Sequence, residues 1–431
     1  MKFYSTKNKD SRVSFTKALM QGMPDDKGLY MPETIPDHSS LIDGIENLNF
    51  QDISFVLANS FLKDDFKNAE IEDIIDKSIT FDTPVVNIKD NLSIVELFHG
   101  PTLAFKDFGA RFMARTMEKV VTLNDRELNI LVATSGDTGS AVANGFYNVE
   151  GINVIILYPS NKVSNIQEKQ LTTLDKNIFA LEIGGTFDDC QKLVKEAFLD
   201  KNLQGKINLS SANSINVARL IPQSFYYFNA YAKLKNKKSV IISVPSGNFG
   251  NLTAGILAKH MGLPIDKFIA STNINDTVSK FLTSGKYIPQ ISVSTISNAM
   301  DVGNPSNINR IIDLYDDINS LKNDIKCWSF SDEETINIIV NILSDNDYLL
   351  DPHSAIGLLG LKKYSDKNKN VEGLFLGTAH PAKFSDIIES NINKIINIPN
   401  RLQEVIDKEK KSIFLNNDYN EFSDYLLSNF K

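Results

Sequence analysis

The stretch SVIISVPSGNFGNLTAGILAKHM (239–261) decides how the chain is read. SVIISVP (239–245) is a continuous apolar run, the pattern of a strand buried on both faces. NLTAGILAKHM (251–261) reads as a helix. The joining segment PSGNFGN (245–251) holds two glycines and two asparagines. Glycine lets the backbone approach a ligand closely, and successive amides at a helix start form an anion cradle. No GK[ST] follows and no GxGxxG is present, so the loop is neither a Walker nor a Rossmann loop. It suits a phosphate monoester better than a pyrophosphate. A tight strand-to-helix turn with no ligand is an equal reading at this point.

Outward from this unit the same alternation recurs. Strands are expected at SIVELF (93–98), LNILVAT (128–134), NVIILYP (153–159), IFALEI (178–183), FIAST (268–272) and GLFLGT (373–378). Helices are expected at 108–121, 139–148 and 187–199. Such alternation predicts α/β layering with largely parallel sheets. Residues 1–84 differ, mixing short helical patterns with turn signals such as GMPDDKG (22–28), and read as a smaller N-terminal region. Ligands of α/β folds gather beyond the carboxyl ends of strands. TSGDTG (134–139), PSGNFGN (245–251) and TAHPAKF (378–384) all follow strands, which suggests one shared polar site.

The bulk properties exclude several classes. With 431 residues, 42% hydrophobic and 23% charged, the chain has the profile of a soluble globular protein of two or three domains. A formal charge of −8 argues against a general nucleic-acid binder. No apolar run approaches the length of a membrane span. Two widely separated cysteines, Cys190 and Cys327, have no metal-ligand spacing, so no metal is expected. The opening MKFYSTKNKD has no apolar signal-peptide core, and a cytoplasmic setting is the expectation.

Four motifs carry candidate chemistry. In HGPTLAFKDFGARF (99–112), Lys106 follows the apolar residues Leu103, Ala104 and Phe105. Apolar surroundings disfavour the charged amine, and a neutral amine can attack an aldehyde. The plainer reading is a lysine that stretches its charge to water. The phosphate loop contributes Gly247, Asn248, Phe249, Gly250 and Asn251. Thr378 stands at a strand end, where its hydroxyl could meet a ring nitrogen or simply bond its own backbone, and Lys383 follows it. In SSANSINVARL (210–220), Asn213, Asn216 and Arg219 recur every third residue and would share one face of a helix. An arginine with amide neighbours suits a carboxylate or phosphate, although a polar helix face reads the same way.

Taken in order, KGLYMP (27–32), FHGPTLAFKDFGARF (98–112), ATSGDTG (133–139), NSIN (213–216), PSGNFGN (245–251), NAMDVGNPSN (298–307) and TAHPAKF (378–384) resemble the threonine synthase family, within the fold-type II (β-family) pyridoxal-phosphate enzymes. The resemblance implies two three-layer α/β domains: a large cofactor-binding one from 85–105 and 215–431, and a smaller inserted one from 106–214. It implies pyridoxal 5'-phosphate as cofactor and O-phospho-L-homoserine as substrate, in a monomer or homodimer. Lys106 would carry the cofactor covalently, residues 247–251 would cradle its phosphate, Thr378 would face its pyridine nitrogen and Asp137 its phenolic oxygen. Many β-family relatives have Asn at the position of Asp137. Ser135, Thr138, Asn213, Asn216, Arg219 and Lys383 would hold the substrate's phosphate and carboxylate. A hydroxyamino-acid dehydratase of the same family, a non-catalytic homologue that binds the cofactor or a phospho-amino acid, and a nucleotide-binding module remain as other readings.

Overall fold

A computed structural model of the chain describes every residue except 122–126, 236, 393 and 431. Its strands are β1 (Lys2–Ser5), β2 (Asn8–Ser14), β3 (Tyr30–Pro32), β4 (Val85–Lys89), β5 (Leu92–Glu96), β6 (Leu128–Ala133), β7 (Ile152–Pro159), β8 (Ile178–Gly184), β9 (Leu209–Ser211), β10 (Val240–Pro245), β11 (Lys267–Thr272), β12 (Ile325–Ser329), β13 (Glu372–Gly377) and β14 (Ile413–Asn416). They form three sheets, ordered β2-β1-β3, β12-β11-β10-β13-β5-β4 and β14-β8-β7-β6-β9. The first is antiparallel, the second is parallel except for β4, and the third is parallel throughout.

Alternation along the strands explains the layering. In β10, Ile242 and Val244 enter the central core while Ile241 faces a second cluster with Phe375, Leu358 and Leu361. In β6, Ile130 and Val132 enter the same central core while Leu131 and Ala133 face a third cluster with Cys190, Leu193 and Phe422. Both large sheets are therefore covered on both faces, and that is why their strands read as unbroken apolar runs. The chain is thus an α/β protein with largely parallel sheets and a small N-terminal region, as expected.

The central core runs between the two sheets. The helix Val217–Ala232 lies in it with all sixteen residues buried, which is the signature of a helix surrounded by protein on every side. The helix Lys106–Val121 packs beside it. Phe108 marks the junction, with ring centroids 4.5 Å from Phe81, 5.4 Å from Tyr226 and 5.8 Å from Phe50. One ring thus joins the N-terminal region to both helices, two residues from Lys106.

The C-terminal segment departs from the ranges read in the sequence. β14 pairs with β8 at the edge of the smaller sheet, and Phe422 and Leu426 of the last helix enter that sheet's outer cluster. Residues 413–429 thus return to the inserted unit instead of staying with 215–431. A four-residue edge strand with Ile413 and Phe414 half exposed has too little apolar pattern to announce its partner. Among the described residues, no helix is long and apolar enough to cross a membrane.

Phe108→Ala should lower the free energy of unfolding by about 3–5 kcal/mol, since it empties a buried aromatic site that cannot collapse easily. Denaturant titration measures this, and a loss under ~1 kcal/mol would mean that the junction is not close-packed.

Candidate active site

Each large sheet reverses its strand order once, and the two reversals face one cavity. In the larger sheet the chain runs outward from β10 through β11 to β12, then returns to the other side of β10 as β13. In the smaller sheet it runs from β6 through β7 to β8, then returns beside β6 as β9. Ligands of open α/β sheets bind beyond such reversal points. The segments after β6, β9, β10 and β13 supply Ser135, Asp137, Thr138, Asn213, Gly247 to Asn251 and Thr378, and all of them line a cavity of about 1580 Å³. That volume is ample for a cofactor and a substrate together.

Lys106 reaches this cavity because the backbone before it is pinned to a strand end. Phe105 N donates to Thr378 O at 2.9 Å, His380 N donates to Leu103 O at 3.1 Å, and Ala104 bridges Ala379. To make this turn Leu103 adopts φ +57°, a left-handed conformation disfavoured for a γ-branched residue. Lys106 then opens the helix Lys106–Val121 and lines the cavity. Burial pushes its pKa down to about 8, offset in part by the negative charge of Asp137. The neutral amine, the state that reacts with carbonyl carbon, is therefore populated near pH 7–8 far more than in a free lysine.

The 247–251 loop has the features of an anion cradle. Phe249 sits at φ +59°, and the helix Gly250–His260 starts directly after it, leaving first-turn amides with no intrahelical acceptor. A Cβ on Gly247 would lie 2.7 Å from Ala299 O and from Met300 Cα, so only glycine lets the 298–300 segment cover the loop. Asn251 Oδ1 accepts from Tyr226 Oη at 2.6 Å and Tyr227 Oη at 2.8 Å. Its buried Nδ2 has no partner. An orphaned buried donor beside free helix amides fits a phosphate oxygen. Asn248 is occupied by protein: its Nδ2 donates to Ser214 Oγ at 2.6 Å and its Oδ1 accepts from Ser306 N at 2.6 Å.

Asp137 and Lys383 form a buried ion pair, Nζ to Oδ1 2.7 Å. Burial alone would raise the pKa of Asp137, but the charges of Lys383 and Lys106 outweigh it and hold the carboxyl well below its usual range. Gln167 Nε2 donates to the same oxygen at 3.0 Å. Lys383 also donates to Thr102 O at 2.9 Å and does not line the cavity. It was expected to hold substrate; its amine is committed to Asp137 and Thr102 instead. Asn216 also stands apart. It caps the helix Val217–Ala232, accepting from Ala218 N at 3.0 Å and donating to Leu19 O at 2.9 Å. The helix begins only at Val217, so Asn213, Asn216 and Arg219 share no helix face.

Arg219 does line the cavity, and burial lowers its pKa to about 10. Its Nη1 donates to Ala212 O at 2.6 Å while its Nε has no partner. The guanidinium crosses the helix Lys106–Val121 at Gly109, where any Cβ would lie 2.9 Å from Nε. Thr378 Oγ1 makes no hydrogen bond among the described residues, and its N–H donates to Ser354 Oγ at 3.3 Å. His353, not foreseen, also lines the cavity. Its Nδ1 meets Asp351 at 2.9 Å and its Nε2 accepts from Ala299 N at 3.3 Å. The Asp-Pro start of its helix is a visible capping signal, but nothing in it says that the next residue faces a cavity.

Comparison with known proteins settles the family. A family model described as pyridoxal-phosphate dependent enzyme matches residues 82–374, flanked by models for the threonine synthase N terminus (2–79) and C-terminal region (354–426). Threonine synthase of Haemophilus influenzae is 43% identical over 99% of this chain and 100% of its own. The chain belongs to the threonine synthase family. The crystal structure of the Escherichia coli threonine synthase superposes with a TM-score of 0.93 at 40% identity, covering 99% of this chain and 100% of that one. A structure described as pyridoxal-phosphate-bound threonine synthase from Brucella melitensis gives 0.92 at 32% identity, covering 99% of both chains. This threonine synthase family member is accordingly a pyridoxal-phosphate-dependent lyase.

In the cofactor-free protein, labelling of Lys106 by an amine-reactive aldehyde should rise with pH through a midpoint of about 8, instead of the ~10.4 of a free lysine. Asp137→Asn removes a negative charge that favours the ammonium form, so its midpoint should fall. Mass spectrometry of labelled peptides across pH reads both. A wild-type midpoint near ~10.4 would contradict the desolvated amine.

Proposed function

We propose that the cavity binds pyridoxal 5'-phosphate and O-phospho-L-homoserine and produces L-threonine and inorganic phosphate. The observation that carries this reading is the meeting, at one pair of sheet reversals, of a desolvated lysine with an anion cradle and a second buried cation, Arg219. Lys106 would hold the cofactor through its amine, residues 247–251 its phosphate, Thr378 its ring nitrogen, and Asp137 its phenolic side. The bound cofactor would supply an electron sink for charge developing next to the substrate's amino group. A cytoplasmic setting fits the two free thiols, Cys190 and Cys327.

Each protein group then has a definite task. Released from its covalent role, Lys106 is a base with a pKa near the operating pH, as efficient proton transfer requires. It would take the proton from Cα, and the same amine would serve the Cβ proton as well. Arg219 and the polar groups of Ser135, Thr138 and Asn213 line the remaining wall and would bind the substrate's carboxylate and phosphate. Such donors would stabilise phosphate as it leaves Cγ. The proton taken from Cβ would be returned to Cγ to complete the methyl group. Water would add its hydroxyl at Cβ and give up its proton to Lys106, and Lys106 would return a proton to Cα. Thr378 offers a hydroxyl and no full charge, so it would not favour protonation of a ring nitrogen facing it, which would moderate the electron sink and disfavour amino-group transfer.

The cofactor-loaded protein given O-phospho-L-homoserine should release phosphate and threonine one for one. Phosphate accompanied by a keto acid and no threonine would overturn the reading. Lys106→Ala should lose the visible absorption of the bound cofactor and at least ~10³-fold in kcat. A variant that keeps both would remove Lys106 from the centre.

A further inference from the structure

Arg310 is wholly buried, on the short helix Ile308–Asp313 that follows NAMDVGNPSN. Its Nε donates to Tyr30 O at 3.2 Å, its Nη1 to Ser214 O at 3.2 Å and Asn307 Oδ1 at 2.8 Å, and its Nη2 to Ile215 O at 2.6 Å. Every acceptor is neutral, and no carboxylate among the described residues offsets the charge. A buried cation without a counter-ion is costly, so its retention calls for an explanation. A neutral staple could bind the same carbonyls without that cost.

The surroundings indicate where the missing negative charge goes. Asn307, which accepts from Arg310, donates through Nδ2 to Asn248 O at 3.0 Å. Ser214, whose carbonyl accepts from Arg310, accepts through Oγ from Asn248 Nδ2 at 2.6 Å. Both paths end on the loop that carries the free first-turn amides and the unpartnered Asn251 Nδ2. Arg310 itself does not line the cavity. We propose that Arg310 is a built-in counter-charge for the phosphate monoester held by the 247–251 loop, acting through Asn307 and Asn248 without touching it. The proposal rests on the reading of that loop as the cofactor's phosphate site. Arg310 and Asn307 are both fully buried, and buried charges are screened less than exposed ones.

The test compares ligands that differ only in the phosphate. Pyridoxal 5'-phosphate and pyridoxal share the aldehyde that Lys106 engages, so the ratio of their affinities isolates the phosphate's share. In Arg310→Met that ratio should fall on the order of tenfold to a hundredfold, whereas Arg310→Lys, which keeps the charge, should stay within about threefold of wild type. The rise in melting temperature caused by inorganic phosphate should shrink in Arg310→Met and persist in Arg310→Lys. If the methionine variant does not fold, Arg310→Gln serves as the uncharged form. Equal losses for both ligands, or a lysine variant as impaired as the methionine one, would make Arg310 a staple and overturn the proposal. Asn251→Asp separates the two readings, since it places a carboxylate where the orphaned donor stands. If it too leaves the ratio unchanged, the loop reading itself fails; if it alone lowers the ratio, only the role of Arg310 fails.

Discussion

The buried pair of Lys383 and Asp137 is the interaction on which the site depends. Lys383 belongs to the segment after β13 and Asp137 to the helix after β6, so the pair ties one sheet reversal to the other. Burying two charges is costly, and losing either partner would leave the other stranded, at about 3–5 kcal/mol. What the pair secures is a permanent negative charge beside Lys106. Desolvation alone would drive that amine further down, and Asp137 restrains the shift. Lys383 meanwhile adds a repulsive charge of its own. The reactivity of Lys106 is therefore set by a balance held in place by the fold.

A second constraint acts on the backbone. Two main-chain hydrogen bonds and one bridge bind residues 103–105 to 378–380. They force Leu103 into a left-handed conformation, and they also fix the distance between Lys106 and Thr378. The same segment creates the niche for Asp107. Thr102 donates to it from N–H at 2.9 Å and from Oγ1 at 2.6 Å. Burial lifts the Asp107 pKa to about 6 in spite of those bonds. Thr102 O also accepts from Lys383. The backbone that aims Lys106 is thus the backbone that anchors the ion pair, and neither can shift without the other.

These facts explain which parts were legible in the sequence. Strands buried on both faces are unbroken apolar runs, so β6, β7, β8, β10, β11 and β13 could be read directly, as could the loops at their ends. Positions set by the local backbone, such as the cavity-lining places of Gly247 and Phe249, were legible for the same reason. Roles decided by distant partners were not. Lys383 and Asn216 carry the right chemistry for substrate, yet Asp137, 246 positions away, claims one and Leu19, 197 positions away, claims the other. Arg219 has equally strong local chemistry and does face the cavity. Composition cannot separate these cases, because orientation is fixed by the packing of helices that meet only in three dimensions. β9, β12 and β14 escaped because strands of three to five residues carry too short a pattern.

The charge distribution of the site gives this packing a purpose. Lys106, Arg219, Lys383 and Arg310 are cations within or just behind the cavity wall, and Asp137 is the carboxylate that meets two of them. In a chain of formal charge −8 this local excess of positive charge is the reverse of the average. Burial pulls down the pKa of Lys106, Arg219 and Arg310 alike, so each is less stable as a cation than it would be in water. An anion entering the cavity relieves that penalty at several residues at once. Binding energy and folding energy are then linked, because whatever binds the native state alone stabilises it by mass action. A site built this way discriminates by charge before it discriminates by shape. A phosphorylated ligand gains from cations already positioned, while a neutral analogue of the same outline leaves them uncompensated.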